Sequence, residues 1–241
     1  MFREIGSVFS FLTIIPVKNS DLETVAKYMY IFPIVGIVIG LLIGSFAFGL
    51  SSFLDPLIVS LIVVSSLAIL TGIHHIDGLA DFADGIMAKG TKDKKLQAMK
   101  DISTGSAGIF SIVIYVVGMI LALSLMSGYE LFQAILLSEI ISKFSMVLLA
   151  GLGRSAAVGS NSPFVQIMKD KKRISLATTF SIIPLVLIGG TIGLVIFGTA
   201  ISFTLIILAI STRSFGGITG DVLGATNEIT RLTSLVIFAS I

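Results

Sequence analysis

Residues 30–50 read YIFPIVGIVIGLLIGSFAFGL, a run of 21 residues without one charged side chain. About 20 apolar residues in a helix are enough to cross the ~30 Å hydrocarbon core of a bilayer. Similar apolar runs recur at about 57–73, 107–126, 131–150, 175–196, 199–212 and 229–241. The last is short for a crossing. The pattern predicts an all-α, polytopic integral membrane helical bundle with about seven transmembrane helices. Strict alternation of apolar and polar residues, the mark of a membrane β-barrel, is missing.

Composition agrees. The 241 residues are 55% hydrophobic and only 12% charged, against about 25% charge in ordinary soluble domains. Mean hydropathy is +1.06. The length suits one integral domain, residues 1–241. Cysteine is absent and glycine numbers 24. The first excludes disulfides, thiolate metal sites and a cysteine nucleophile; the second suits close helix packing in lipid. REIGSVFSFLTIIPV, at residues 3–17, reads as an interfacial helix, and no cleavable signal peptide is expected because Pro16 ends the first apolar stretch without a small-residue cleavage site.

The basic residues are gathered rather than scattered. Of 16 Lys and Arg, all but Lys143 fall before residue 30, in the polar stretches 74–106, 151–174 and 213–228, or at Arg231. The intervening breaks, near Asp55, Glu130 and Gly198, hold none. About seven crossings put all three polar stretches on one side, and the positive-inside rule makes that side cytoplasmic.

The first polar stretch opens with HHIDGLADFADG, residues 74–85. Asp77, Asp81 and Asp84 are spaced i, i+4, i+7 and share one face of a helix. Like charges so placed repel, and no Lys or Arg lies between Gly72 and Ala88. A divalent cation is the natural partner, and oxygen-only donors favour Mg²⁺, Mn²⁺ or Ca²⁺ over zinc. Ionisable groups directly after a membrane span are costly and usually functional. His74 and His75 stay open between hydrogen bonding, packing and ligation.

Lys89, Lys92, Lys94, Lys95 and Lys100 follow, then DISTGSAG at 101–108. Small and hydroxyl residues at a helix start offer free N–H groups to an anion, so this stretch is expected to cradle phosphate, though not with P-loop spacing. Glu139 and Lys143, at i, i+4 in the fourth apolar run, form either an ion pair facing the bundle interior or part of a substrate cavity. Arg154 is a candidate for an anionic contact, and MKDKKR at 168–173 reads as a solvated loop. In RSFGGITGDVLGATNEIT, residues 213–230, Asp221 stands among glycines on the same face as the triad and is placed to complete a metal site.

Five stretches together resemble one family: FLTIIPV, FPIVGIVIG, GIHHIDGLADFADGI, MKDISTGSAGIF and RSFGGITGDVLGATNEIT, in order from residue 11 to 230. They are similar to the cobalamin synthases, the adenosylcobinamide-GDP ribazoletransferases. The resemblance implies an Mg²⁺-dependent membrane phosphotransferase of cobalamin biosynthesis. Such an enzyme joins adenosylcobinamide-GDP to α-ribazole, or to α-ribazole 5′-phosphate, and releases GMP. The expected metal ligands are Asp77, Asp81, Asp84 and Asp221. The three triad carboxylates and Lys100 are the expected catalytic groups. His74, Asp101, Ser103, Gly105, Arg154, Arg213, Gly217 and Asp221 are expected to bind substrate.

The expected step is attack by the ribazole 5′-hydroxyl on the phosphorus attached to cobinamide, at the cytoplasmic rim of the cell membrane. Expected partners are the two small molecules and the lipid bilayer, not nucleic acid; a homo-oligomer remains compatible. Two rival readings are a CDP-alcohol-type phosphotransferase of lipid synthesis, whose Ala-Arg motif and spacing this chain lacks, and a membrane transporter, for which the chain shows no inverted repeat.

Overall fold

The computed structural model describes residues 2–17, 21–156 and 162–241, and these are helical apart from their connections and one isolated bridge between Ser155 and Ile218. In chain order the helices are α1 (Phe2–Leu12), α2 (Leu22–Lys27), α3 (Phe32–Leu50), α4 (Pro56–Thr71), α5 (His74–Met87) and α6 (Lys92–Ala98). There follow α7 (Ser106–Ser124), α8 (Gly128–Leu152), α9 (Ser162–Ile167), α10 (Lys171–Phe215) and α11 (Gly220–Ala239). A 3₁₀ turn, Met29–Ile31, leads into α3.

α8 is the centre of the bundle. Its apolar window is 89% buried, against 28% for α7 and for α10. A helix apolar all round is one surrounded on all sides. α3 docks on it through Gly36, Gly40 and Gly44. A Cβ at Gly36 would stand 2.5 Å from the Glu139 carbonyl oxygen, and one at Gly40 would stand 2.7 Å from Leu136 Cα. Hydrogen in place of a side chain lets the two backbones touch, which is how helices associate where water supplies no driving force. α7 turns Ile109, Phe110, Val113, Ile114, Val117 and Leu121 outward, an apolar face suited to lipid.

Among the described residues, four helical segments are long and apolar enough to cross a membrane: Met29–Leu50, α7, α8 and α10; α4 and α5 add a fifth if that bent pair is one span. This tally does not establish the expected seven or so crossings. α4 has 16 residues, and α11 carries Asn227, Glu228 and Arg231 along its middle. α10 counts once although its 45 residues would reach about 68 Å if straight, more than twice the hydrocarbon thickness. It is not straight. Gly190 adopts φ 54°, ψ −127°, and Gly193 presses on the Leu185 carbonyl eight residues earlier, which a continuous helix keeps about 12 Å away. The sequence placed this break near Gly198. Hydropathy is flat across the region, and the turn sits at the Gly189-Gly190 pair instead.

The last helix also differs from expectation. The later part of the polar stretch, from Gly220, and the apolar segment as far as Ala239 form one helix. Glu228 and Arg231 lie inside it because other buried charges neutralise them. MKDKKR is not a free loop either. Asp170 caps the start of α10 by accepting from the Lys172 amide at 3.0 Å, the Lys169 ammonium donates to the Gly153 carbonyl at 2.7 Å, and Arg173 donates to the Lys27 carbonyl.

Candidate active site

The turn between α4 and α5 aims the site. Gly72 and Ile73 both adopt left-handed backbone, with φ 71° and 65°, and the two helices meet at 92°. A β-branched residue with positive φ is strained. With α4 along the membrane normal, α5 lies across its end, near the membrane surface. α5 then crosses α11 at two glycines. A Cβ on Gly78 would lie 3.0 Å from the Asp221 carbonyl oxygen, and one on Gly224 would lie 3.2 Å from His75 Cα. This crossing brings Asp221, in the first turn of α11, to the acidic face of α5.

Four carboxylates consequently share one region. Burial first, then the charges of Asp77, Asp221 and Asp84, push the Asp81 carboxyl up to about 6. Burial also raises Asp221, opposed in part by its hydrogen bond from Thr219 and by the charge of Lys100. None of the four makes an ion pair among the described residues. No three of them close to metal-ligating distance there.

Asp84 has a second occupation. Its Oδ2 accepts from the Gly105 amide at 2.7 Å and its Oδ1 from the Gly108 amide at 2.8 Å. These are the N-cap and third residue of α7. The helix start expected to cradle phosphate therefore already holds an anion, the Asp84 carboxylate, in the position where dipole and free N–H groups favour one. Gly105 and Gly108 admit it, since a Cβ on either would come within 2.6 Å and 2.5 Å of its oxygens.

The other expected residues divide. Lys100 is exposed and close enough to act on Asp221. Arg213 is exposed in the last turn of α10. Asp101 folds its own loop, accepting from the Ser103 amide at 3.0 Å. The Arg154 guanidinium donates through Nε to the Gly216 carbonyl at 2.9 Å, while the Ile218 amide donates to the Arg154 carbonyl at 2.8 Å. Gly217 packs on that strip of backbone. Arg154 and Gly217 thus zip the loop after α8 to the loop before α11.

His74 and His75 part company. His74 is exposed and His75 is 8% exposed, yet both line a cavity of about 500 Å³. Its remaining walls come from α1, α2, α3, α8, α9 and the start of α11, including Asp221. Behind His75 stands a buried ionic cluster. The Asn227 amide nitrogen is 3.4 Å from His75 Nδ1 and donates to Glu228 at 2.7 Å. Arg231 pairs with Glu228, donates to Glu139 at 2.5 Å and to the Tyr115 hydroxyl at 3.0 Å. Lys143 donates to Glu139 at 3.0 Å. The pair Glu139–Lys143 thus faces the bundle interior. Arg231 was read from sequence only as part of the charge asymmetry. Its i, i+3 spacing from Glu228, like the i, i+4 spacing of Glu139 and Lys143, was the available signal.

Comparison with known proteins gives this arrangement its family. No solved structure matches the chain. A curated relative from Thermococcus kodakarensis, named adenosylcobinamide-GDP ribazoletransferase, is 36% identical over 97% of this chain and 96% of its own. Relatives of the same name from Methanocella arvoryzae and a Thermoanaerobacter species are 31% and 36% identical, covering 100% and 94% of this chain and 97% and 90% of their own. The family model described as cobalamin-5-phosphate synthase matches residues 4–239. The match therefore takes in the acidic face, the cavity and the buried ionic cluster alike, and the chain belongs to the cobalamin-5-phosphate synthase family.

Proposed function

We propose that this chain performs the nucleotide-loop assembly step of cobalamin synthesis, joining adenosylcobinamide-GDP to α-ribazole or its 5′-phosphate with release of GMP. The observation that supports the reading most is the convergence of Asp77, Asp81 and Asp221, from helices far apart in sequence, beside a cavity of about 500 Å³. Family membership favours it over the CDP-alcohol and transporter readings.

One expectation needs correction on chemical grounds. The family description names a product that carries a phosphate at the 5 position. An acceptor already phosphorylated there has no 5′-hydroxyl to attack with. The nucleophile is a secondary hydroxyl of the ribose.

The donors fit a hard divalent cation: all are carboxylate oxygens, and their mutual repulsion is not relieved by any ion pair among the described residues. They are not yet gathered around a point. Asp77, Asp81 and Asp221 would hold Mg²⁺, with Asp84 tied to α7 beside them. Bound there, the metal would supply charge neutralisation at the pyrophosphate.

The chain's own groups do the rest. A carboxylate of the cluster takes the proton of the attacking hydroxyl. The ribose oxygen bonds to the phosphorus attached to cobinamide. The bond from that phosphorus to the bridging oxygen breaks, and its electron pair leaves with GMP. Lys100, close enough to act on Asp221, would stabilise the charge that develops, with Arg213 at the end of α10 as the second candidate. The gathering of basic residues into a few stretches of the chain supports a site at the cytoplasmic rim.

The test is GMP release from adenosylcobinamide-GDP by membranes carrying Asp81→Asn. Loss of Mg²⁺-dependent release by at least about a hundredfold is expected. Undiminished release refutes the role of the cluster.

A further inference from the structure

The cavity beside the carboxylates has two unlike sides. Phe11, Phe32 and Phe164, from α1, α3 and α9, make an aromatic cluster with ring centroids 6.0 Å and 5.4 Å from Phe11. Met29 and Met146 line the same space. Aromatic faces and thioethers are the surfaces that hold a flat uncharged ring. From α5 and α11 come polar groups instead, His74, His75 and Asp221, the last already part of the acidic site; Ser10 and Asp21, whose carboxylate caps α2, complete the lining.

Size decides between the two substrates. About 500 Å³ lies within the ~300–1,000 Å³ range of small-molecule sites. A nucleoside fits. A corrinoid ring with its amide side chains, adenosyl group and GDP does not. A lipid acyl chain would fill the volume but would desolvate Asp221 and His74 without giving them a partner.

We propose that this cavity is the acceptor subsite. The flat benzimidazole base of α-ribazole lies against Phe11, Phe164 and Met29, and its ribose points to Asp221, where a secondary hydroxyl meets the carboxylates. The corrinoid stays outside, against the open face of α5. The assignment rests on the transferase reading above and adds which substrate occupies which space. It also gives α1 a role in binding, since Ser10 and Phe11 close the cavity from the N-terminal side.

Two variants of the full chain in lipid nanodiscs test it. Ser10→Trp fills the cavity from a half-exposed position, and Phe164→Ala removes part of the aromatic wall. Each is measured by GMP release with the two substrates varied separately, and by equilibrium dialysis of α-ribazole alone. Both variants are expected to raise the α-ribazole KM and Kd at least about tenfold while the KM for adenosylcobinamide-GDP moves less than about twofold. If Phe164→Ala proves unfolded by gel filtration, Ser10→Trp decides alone.

An unchanged α-ribazole Kd in folded Ser10→Trp, or a rise confined to the corrinoid KM, overturns the assignment and leaves the cavity to lipid. Failure of the wild type to release GMP from both substrates together would count against the transferase reading. The dialysis measurement tests the subsite independently of turnover.

Discussion

Arg231→Met is the sharpest test of how the bundle holds its charges. In the wild type, Glu139 and Glu228 are balanced by Lys143 and Arg231, and all four are at most 2% exposed. Methionine keeps much of the volume and removes one cation. Two carboxylates then share the Lys143 ammonium, Glu228 keeps among the described residues no ion-pair partner but a His75 contact at 3.8 Å, and the Tyr115 hydroxyl loses a donor. Breaking a buried pair by removing one partner costs about 3–5 kcal/mol. At roughly 2–4 °C per kcal/mol for a chain of this length, the melting temperature should fall by about 10 °C. The assay is the loss of the monodisperse gel-filtration peak on heating in detergent, since the chain has no tryptophan to report unfolding. The double variant Arg231→Met with Glu228→Gln restores neutrality and should recover at least half of the loss. A single variant as stable as wild type, or a double variant less stable than the single, refutes the reasoning.

Three further outcomes follow from the site and the fold. Gly108→Ala places a methyl 2.5 Å from Asp84 Oδ2 and should lower GMP release about tenfold or more by shifting α5 against α7; membrane assays at saturating substrates check it. Asp81, with its carboxyl raised to about 6, is charged above that pH and protonated below it. The Mg²⁺ concentration for half-maximal activity should therefore be flat above pH 7 and rise toward about tenfold per pH unit below 6, as titrations from pH 5 to 8 would show. Gly190→Val forces a β-branched residue into φ 54°, ψ −127° and should cost about 1–3 kcal/mol in the same heating assay.

Much of this was legible beforehand because lipid leaves a chain few choices. The apolar run 30–50 became α3 almost to the residue. The i, i+4, i+7 spacing put three aspartates on one helix, and the glycines around Asp221 brought it to them by close helix crossing. The structure reassigned residues wherever a side chain found a partner remote in sequence. Asp84, expected as a metal ligand, also caps α7, and nothing local in ADFADG reveals a helix start 21 residues later. Arg154, expected as an anion contact, also holds a loop through its Nε. Glu228 and Arg231 looked like the wet edge of a span and proved to be buried, paired with each other on α11 and, through Arg231, with Glu139 on α8. The turn at Gly190 left no trace in hydropathy, since the residues on both sides of it are equally apolar.

The buried cluster also bears on how the chain enters the membrane. Each of its two charged helices carries a self-neutralising pair, Glu139 with Lys143 on α8 and Glu228 with Arg231 on α11. The charges in the middle of each helix can therefore be handed to lipid already paired, Glu130 and Asp221 staying at the helix starts, before the other helix has been synthesised. Arg231 then reaches Glu139 and fastens the last helix to the one at the centre. Biogenesis thereby has a defined final latch. A chain ending before residue 220 should still insert α8, as glycosylation mapping would report, but should be degraded faster than the full chain in a pulse-chase experiment.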